Sequence, residues 1–212
     1  MRRFLAVAAL LLLSLAPARA DTPWELVHAY PHDSDAFTEG LLWLDGNLYE
    51  STGQYGASEI REVDLKSGKV LRSIALPNVY FGEGIVDWGD EIISLTWRNH
   101  IGFRWRHSDF GMTGSFGYPG EGWGMTHDGT HVIMSDGTDE LRLLDPKTMV
   151  EIRRISVTWN GKPVRLLNEL EYVKGEILAN TFFIGLLDDA MPSTDIHAAD
   201  YADLYRGLLS RE

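Results

Sequence analysis

The chain is predicted to be all-β, a propeller of four-stranded blades, on three observations. A short acidic motif recurs four times, as Phe-Thr-Glu-Gly ending at Gly40, Phe-Gly-Glu-Gly ending at Gly84, Gly-Glu-Gly-Trp ending at Trp123 and Leu-Asn-Glu-Leu ending at Leu170. The four glutamates, Glu39, Glu83, Glu121 and Glu169, lie 44, 38 and 48 residues apart, near the roughly 40–50 residues of one propeller blade. Each motif is followed by two apolar runs around a turn, at Asp45-Gly46, Gly89-Asp90, Asp128-Gly129 and Lys174-Gly175, and such turns between apolar runs are the strongest short-range hairpin signal.

The elements follow in order. Second strands align as 47–52, 91–96, 130–135 and 176–181; third strands are expected at 59–65, 102–107 and 140–145, and fourth strands at 70–76, 113–118 and 151–157. Turns at Asp64 to Gly68 and Asp145 to Thr148 close two of the units, Asp with Gly or Pro setting the dihedrals. Three whole blades thus span about 37–157, and a fourth begins at Leu167. Equivalent positions of successive blades face one central region, so the four carboxylates are expected at a common mouth.

Residues 1–20 read as a secretory signal: basic Arg2-Arg3, an apolar run from Phe4 to Leu15, and Ala18-Arg19-Ala20 as a small-x-small cleavage site. The run is shorter than the roughly 20 residues of a spanning helix. The expectation is a periplasmic or secreted protein, free of the membrane after cleavage. Without Arg2, Arg3 and Arg19 the chain carries 16 basic against 31 acidic residues, which argues against nucleic acid as a partner, since phosphate binding relies on Lys and Arg. There is no cysteine, which excludes disulfides and thiolate chemistry.

Among positions that could carry chemistry, Glu83 ranks first. Gly82 and Gly84 flank it, so the backbone can turn sharply and leave its carboxylate unobstructed. A carboxylate among aromatics can have its proton affinity raised toward neutrality, as a general acid/base requires; the alternative is a carboxylate that caps a turn. Trp97, Phe182 and the Asp136-Gly137 pair all follow second strands, and together with Trp123 form either a dry box near Glu83 or ordinary core. Asn168 stands before Glu169 as Gly82 stands before Glu83, placing at the mouth an amide that can donate to a carbonyl and accept from an amine, or else a turn residue. His107, His127 and His131 show no zinc spacing, and Ser51 and Ser135 no activating motif. No metal site and no cofactor is expected.

Seven strings carry a family resemblance: His32 to Gly40, Tyr49 to Gly53, Tyr80 to Gly84, Leu95 to Trp97, Tyr118 to Gly124, Met134 to Gly137 and Leu167 to Glu171. They resemble the plant and bacterial glutamine cyclotransferases, five-bladed propellers that convert N-terminal glutamine of peptides and proteins to pyroglutamate with release of ammonia. The resemblance runs from about His28 to about Asn180. It implies that Glu83 is the catalytic proton shuttle, accepting a proton from the substrate amine and returning it to the departing nitrogen. It also implies that Trp97 and Trp123 line the substrate pocket and that Asn168 contacts the substrate amide. At two further substrate positions the chain departs from the family, with Glu39 where a glutamine is frequent and Phe182 where a tryptophan is usual.

Past Asn180 the resemblance ends. The expected domains are a signal peptide at 1–20, an incomplete propeller at 21–183 holding three blades and part of a fourth, and a divergent tail at 184–212 with a loosely amphipathic helical pattern (Ile196, Ala199, Leu204, Leu208, Leu209). No counterpart of the family's fifth-blade lysine is visible there. A shifted or truncated reading frame accounts for the tail, and the competing account is a variant completed by a partner chain, since an open propeller exposes sheet edges. Beside the cyclotransferase stand two other functions: a non-catalytic extracytoplasmic propeller that binds peptides or proteins at its mouth, and a calcium-dependent hydrolase using the clustered carboxylates.

Overall fold

Alternating apolar runs joined by tight turns fold here into three four-stranded antiparallel meanders and a two-stranded fourth unit, in a computed structural model that describes residues 26–182. The first sheet holds β1 (Thr38–Leu44), β2 (Asn47–Thr52), β3 (Glu59–Asp64) and β4 (Lys69–Ala75). The second holds β5 (Gly82–Trp88), β6 (Glu91–Thr96), β7 (Ile101–Arg106) and β8 (Met112–Gly117). The third holds β9 (Met125–His127), β10 (Val132–Met134), β11 (Glu140–Leu144) and β12 (Glu151–Ser156). A small hairpin, β13 (Thr158–Trp159) with β14 (Lys162–Pro163), precedes the fourth unit, β15 (Leu167–Val173) with β16 (Glu176–Thr181). Among the described residues there is no helix. The signal peptide and the tail read from the sequence lie outside them.

Strand bounds agree with the sequence reading to within a residue or two, because each turn is chemically specified. Asp45 and Gly46 both have positive φ (51° and 83°), as do Lys174 and Gly175 (54° and 89°), the conformation of a two-residue turn whose twist matches its strands. Asn160 and Gly161 do the same (50° and 76°) and close the β13–β14 hairpin, which the sequence reading did not include although its Asn-Gly signal was present.

The core is distributed between neighbouring sheets. Alternate residues of a strand enter different layers: Ile92 packs with Tyr49, Ile60 and Trp105 toward the first sheet, whereas Ile93 and Leu95 pack with Met125, Val132 and Met134 toward the third. A third layer joins Ile133, Leu141 and Leu143 to Leu167 and Leu170 of the fourth unit. Each sheet is therefore stabilised by its neighbours, the nearest-neighbour logic of repeat folds.

The sheets meet most closely along their first strands. A Cβ added to Gly40 would lie 2.9 Å from the Cα of Gly84; one added to Gly84 would lie 2.5 Å from the Trp123 carbonyl oxygen; one added to Gly124 would collide with the Asn168 carbonyl. The Gly84 amide donates to that same Trp123 oxygen at 2.7 Å. Backbone touches backbone here, and only glycine leaves the room.

Gly84→Ala is therefore expected to cost about 3 kcal/mol, the upper range for overpacking, in urea unfolding. Gly129→Ala, at a positive-φ turn with open space around it, is expected to cost about 1 kcal/mol from backbone strain alone. Equal losses in the two variants would contradict this account of the axis.

Candidate active site

Because the glycines set the register at the axis, the residue before each one is aimed into the same central space. Before Gly40 and Gly84 that residue is Glu39 and Glu83, and before Gly124 it is Trp123; in the fourth unit Glu169 stands at the matching place in its motif, before Leu170 rather than a glycine. The sequence reading placed Glu121 in this series, and the structure corrects it. The glycine in backbone contact with the fourth unit is Gly124, whereas Gly122 abuts the Tyr118 ring, so Glu121 lies outside β9 and off the axial ring. The common mouth receives two of the four carboxyls, Glu39 and Glu83, while Glu169 is buried beside it.

One cavity of about 290 Å³ opens there, lined by Phe37, Glu39, Phe81, Glu83, Trp97, Trp123, Asn168 and Phe182. All six residues singled out from the sequence are thus brought together. Phe37 and Phe81 had not been singled out, although each stands two residues before a motif glutamate, and that shared offset was the available signal.

The aromatic wall is held by backbone bonds that recur from unit to unit. The amide of Trp97 donates to the Phe81 carbonyl (3.0 Å), that of Gly53 to the Phe37 carbonyl (2.8 Å) and that of Phe182 to the Leu166 carbonyl (2.8 Å). Gly53 stands where the second unit has Trp97, and the seat it leaves open holds the Phe81 ring. Phe81 packs against Trp97 with centroids 5.6 Å apart, and Trp123 meets Phe182 edge-on at 5.9 Å. Gly137 lies beneath the Trp123 ring, so the Asp136-Gly137 pair does reach this end of the fold.

Glu121 orients the two indoles. Its Oε2 accepts from Trp97 Nε1 (2.7 Å) and from Trp123 Nε1 (3.0 Å), while its Oε1 accepts from Arg98 Nε (2.9 Å). Burial works to raise its pKa, but the bonds from Trp123, Arg98 and Trp97 prevail and hold it below the usual carboxylate range. The Arg98 guanidinium also stacks 3.7 Å above the Trp97 ring. Asn168 is fixed through its backbone, whose carbonyl accepts from Ser135 Oγ at 2.6 Å. The residue also lines the cavity.

The other carboxyls behave oppositely. Glu83 is 6% exposed, and burial, reinforced by the charges of Glu39, Glu169 and Glu121, pushes its pKa up to about 10. Burial pushes Glu39 up to about 7, and its charge in turn raises Glu83, so the two proton steps belong to the pair. Glu169 is 2% exposed, neither of its oxygens has a hydrogen-bond partner among the described residues, and burial holds it well above the ordinary range. No cation lines this cavity among the described residues, and no grouping of three His, Asp or Glu there is arranged to hold a metal ion.

A carboxyl kept neutral by burial, a neighbouring carboxyl that ionises more easily, an asparagine and an aromatic wall suit proton transfer on a small polar group bound among them. The family model for glutamine cyclotransferase matches residues 4–188, running somewhat beyond Asn180. A glutaminyl-peptide cyclotransferase of Arabidopsis thaliana is 41% identical over 160 residues, covering 74% of this chain and 50% of its own. The crystal structure of Myxococcus xanthus glutaminyl cyclase superposes with a TM-score of 0.67 at 34% identity, covering 72% of this chain and 64% of its own. The WD40 domain of Neurospora crassa Pan2, at 11% identity and a TM-score of 0.52, shares the fold alone. The chain belongs to the glutamine cyclotransferase family, and it spans about half the length of the curated relative it matches.

The raised carboxyls link stability to pH. The unfolded chain releases the Glu83 proton near the ordinary value of 4.5 and the folded chain keeps it, so this contribution is full below pH 4.5 and falls as pH rises toward the folded value. Glu83→Gln removes that penalty. Its thermal midpoint is expected to match wild type at pH 4 and to exceed it at pH 8, by at least about 1.4 kcal/mol of stability, the worth of one pKa unit. A variant less stable than wild type at pH 8 would refute the neutral buried carboxyl.

Proposed function

We propose that this protein is a glutaminyl-peptide cyclotransferase, closing N-terminal glutamine of peptides and proteins to pyroglutamate and releasing ammonia. The observation that carries this reading is the buried Glu83 carboxyl at the wall of one aromatic-lined cavity with Glu39, Trp97, Trp123 and Asn168. Family membership supports it, as do the names of the Arabidopsis and Myxococcus relatives.

The reaction is intramolecular and needs no nucleophile from the protein. The substrate's α-amine attacks its own γ-carboxamide carbon, a C–N bond closes the five-membered ring, and the bond to the amide nitrogen breaks. An amide anion is too basic to leave. Glu83, carrying its proton at neutral pH, delivers it to that nitrogen so that ammonia departs, and the proton that the attacking amine gives up goes to a carboxylate of the same site. Asn168 donates to the carbonyl oxygen as negative charge grows there. The walls Phe81, Trp97 and Trp123 fold the side chain back on its amine, and such positioning is worth up to roughly 7–11 kcal/mol in ideal intramolecular cases. The cavity's volume lies at the small end of ligand sites, which begin at roughly 300 Å³, and suits one terminal residue.

Incubated with a Gln-initiated peptide, the protein is expected to release one ammonia per peptide, with loss of the free amino terminus seen by mass spectrometry. Glu83→Gln is expected to lose about 100-fold or more in kcat while remaining folded; unchanged turnover would remove Glu83 from the reaction.

Function outside the cytoplasm belongs to the same proposal, supported by the leader pattern at 1–20. Terminal sequencing of protein recovered from the producing cell's exterior or periplasm is expected to begin at Asp21; an intact Met1 terminus would contradict it.

A further inference from the structure

Ring closure takes one proton from the attacking amine and gives one to the departing nitrogen. A Glu83 that enters the reaction already protonated can give, but has no vacancy to receive until it has given. The cavity contains a second carboxyl, Glu39, at the same register position of the adjacent sheet. Neither the Glu39 nor the Glu83 carboxyl makes a side-chain hydrogen bond among the described residues, although Glu83 is more than nine-tenths buried. Two unpaired carboxyls facing one cavity, with environments that separate their proton affinities, are how acid and base roles are divided in one site.

We propose that Glu39 and Glu83 form a catalytic dyad in which Glu39 is the base for the substrate's α-amine and Glu83 the acid for the leaving ammonia. This rests on the cyclotransferase reading and deepens it. The protons balance. The amine nitrogen bonds to the amide carbon and passes one proton to the Glu39 carboxylate, Glu83 passes its proton to the amide nitrogen as that C–N bond breaks, and ammonia leaves. Glu39 is then neutral and Glu83 ionised. A proton passing from Glu39 to Glu83 within the shared cavity restores the starting state with no outside reagent.

The surroundings leave Glu39 free for this task. From β15 Glu169 faces it as a carboxyl kept neutral by burial. On its own sheet Glu50 and Arg61 pair with His32 and Asp33 instead, and none of these lines the cavity. Beyond the cavity wall, Glu121 is occupied by Arg98 and the two indoles, while Tyr118 donates to the Thr96 carbonyl and Arg142 pairs with Glu151, neither lining the cavity. Glu39 ionises near neutrality, which is where a general base is most effective at physiological pH. A glutamine in its place could bind the amine and could not take its proton.

The test uses the full chain with Glu39→Gln, which keeps the shape, and Glu39→Asp, which keeps the acid. Kinetics on a Gln-initiated peptide are read alongside carbon-13 NMR titration of labelled glutamate carboxyls without peptide. The expected result for Glu39→Gln is a kcat lower by about 100-fold with KM changed by less than about 3-fold. Loss of a carboxyl resonance titrating near neutrality, and a lower midpoint for Glu83, are expected to accompany it. Glu39→Asp is expected to recover part of kcat. If Glu39→Gln keeps kcat and changes only KM, Glu39 is a substrate contact and the dyad is overturned, with Glu83 acting alone through both its oxygens. If Glu39→Gln is poorly folded, a wild-type titration with no glutamate resonance near neutrality overturns the proposal independently. A wild type that releases no ammonia defeats the cyclotransferase reading itself, and the dyad with it.

Discussion

Backbone contact between neighbouring first strands is the constraint on which the rest of the structure depends. Gly40, Gly84 and Gly124 let these strands approach until main-chain atoms touch. That closeness fixes the register of one sheet against the next, because a slip would drive a Cβ into a carbonyl. It also decides what reaches the axis: the residue before each glycine has nowhere to point except inward. The interleaved layers of Ile, Leu, Val and Met then follow from alternation along strands whose positions are already set.

Crowding carboxyls at such an axis is electrostatically unfavourable, and the structure relieves it in two ways. Glu121, displaced from the axis by two residues, ionises freely because Arg98 and two indole N–H groups surround it. Glu39, Glu83 and Glu169 have no such partners, so they retain protons to different degrees. A buried charge without a counter-charge costs more than a retained proton. On the proposed reading the instability of this arrangement is also its use, since protons stored in an apolar cavity can be handed to a substrate that enters it. In that proposal stability and chemistry oppose one another at Glu83, the trade-off common to active sites.

Much of the fold was legible in the chain because its punctuation is local. Asp45-Gly46 and Lys174-Gly175 specify their turns through positive φ at both positions, and the strands between such turns have little freedom in length. The site was legible for a different reason: Glu39, Glu83, Trp97, Trp123, Asn168 and Phe182 recur at fixed offsets within units, and repeats convert sequence offset into spatial proximity. Phe37 and Phe81 went unnoticed because an aromatic beside a strand start is ordinary core in most proteins. Their place in the cavity wall depends on Gly53, which leaves a seat for the Phe81 ring.

What the amino-acid sequence determined by itself was the β meander, the length of the unit and the set of residues gathered at its mouth, all properties of short-range pattern and repetition. Which of the four glutamates belong to the axis was decided only in three dimensions. The acidic motif reads alike in all units, whereas the register is set by which glycine backbone meets the next sheet, and in the third unit that is Gly124. Tertiary structure also decided the charge of each carboxyl: Glu121 and Glu83 are chemically identical side chains, and one is ionised and the other neutral because partners and burial, absent from the linear sequence, differ between them.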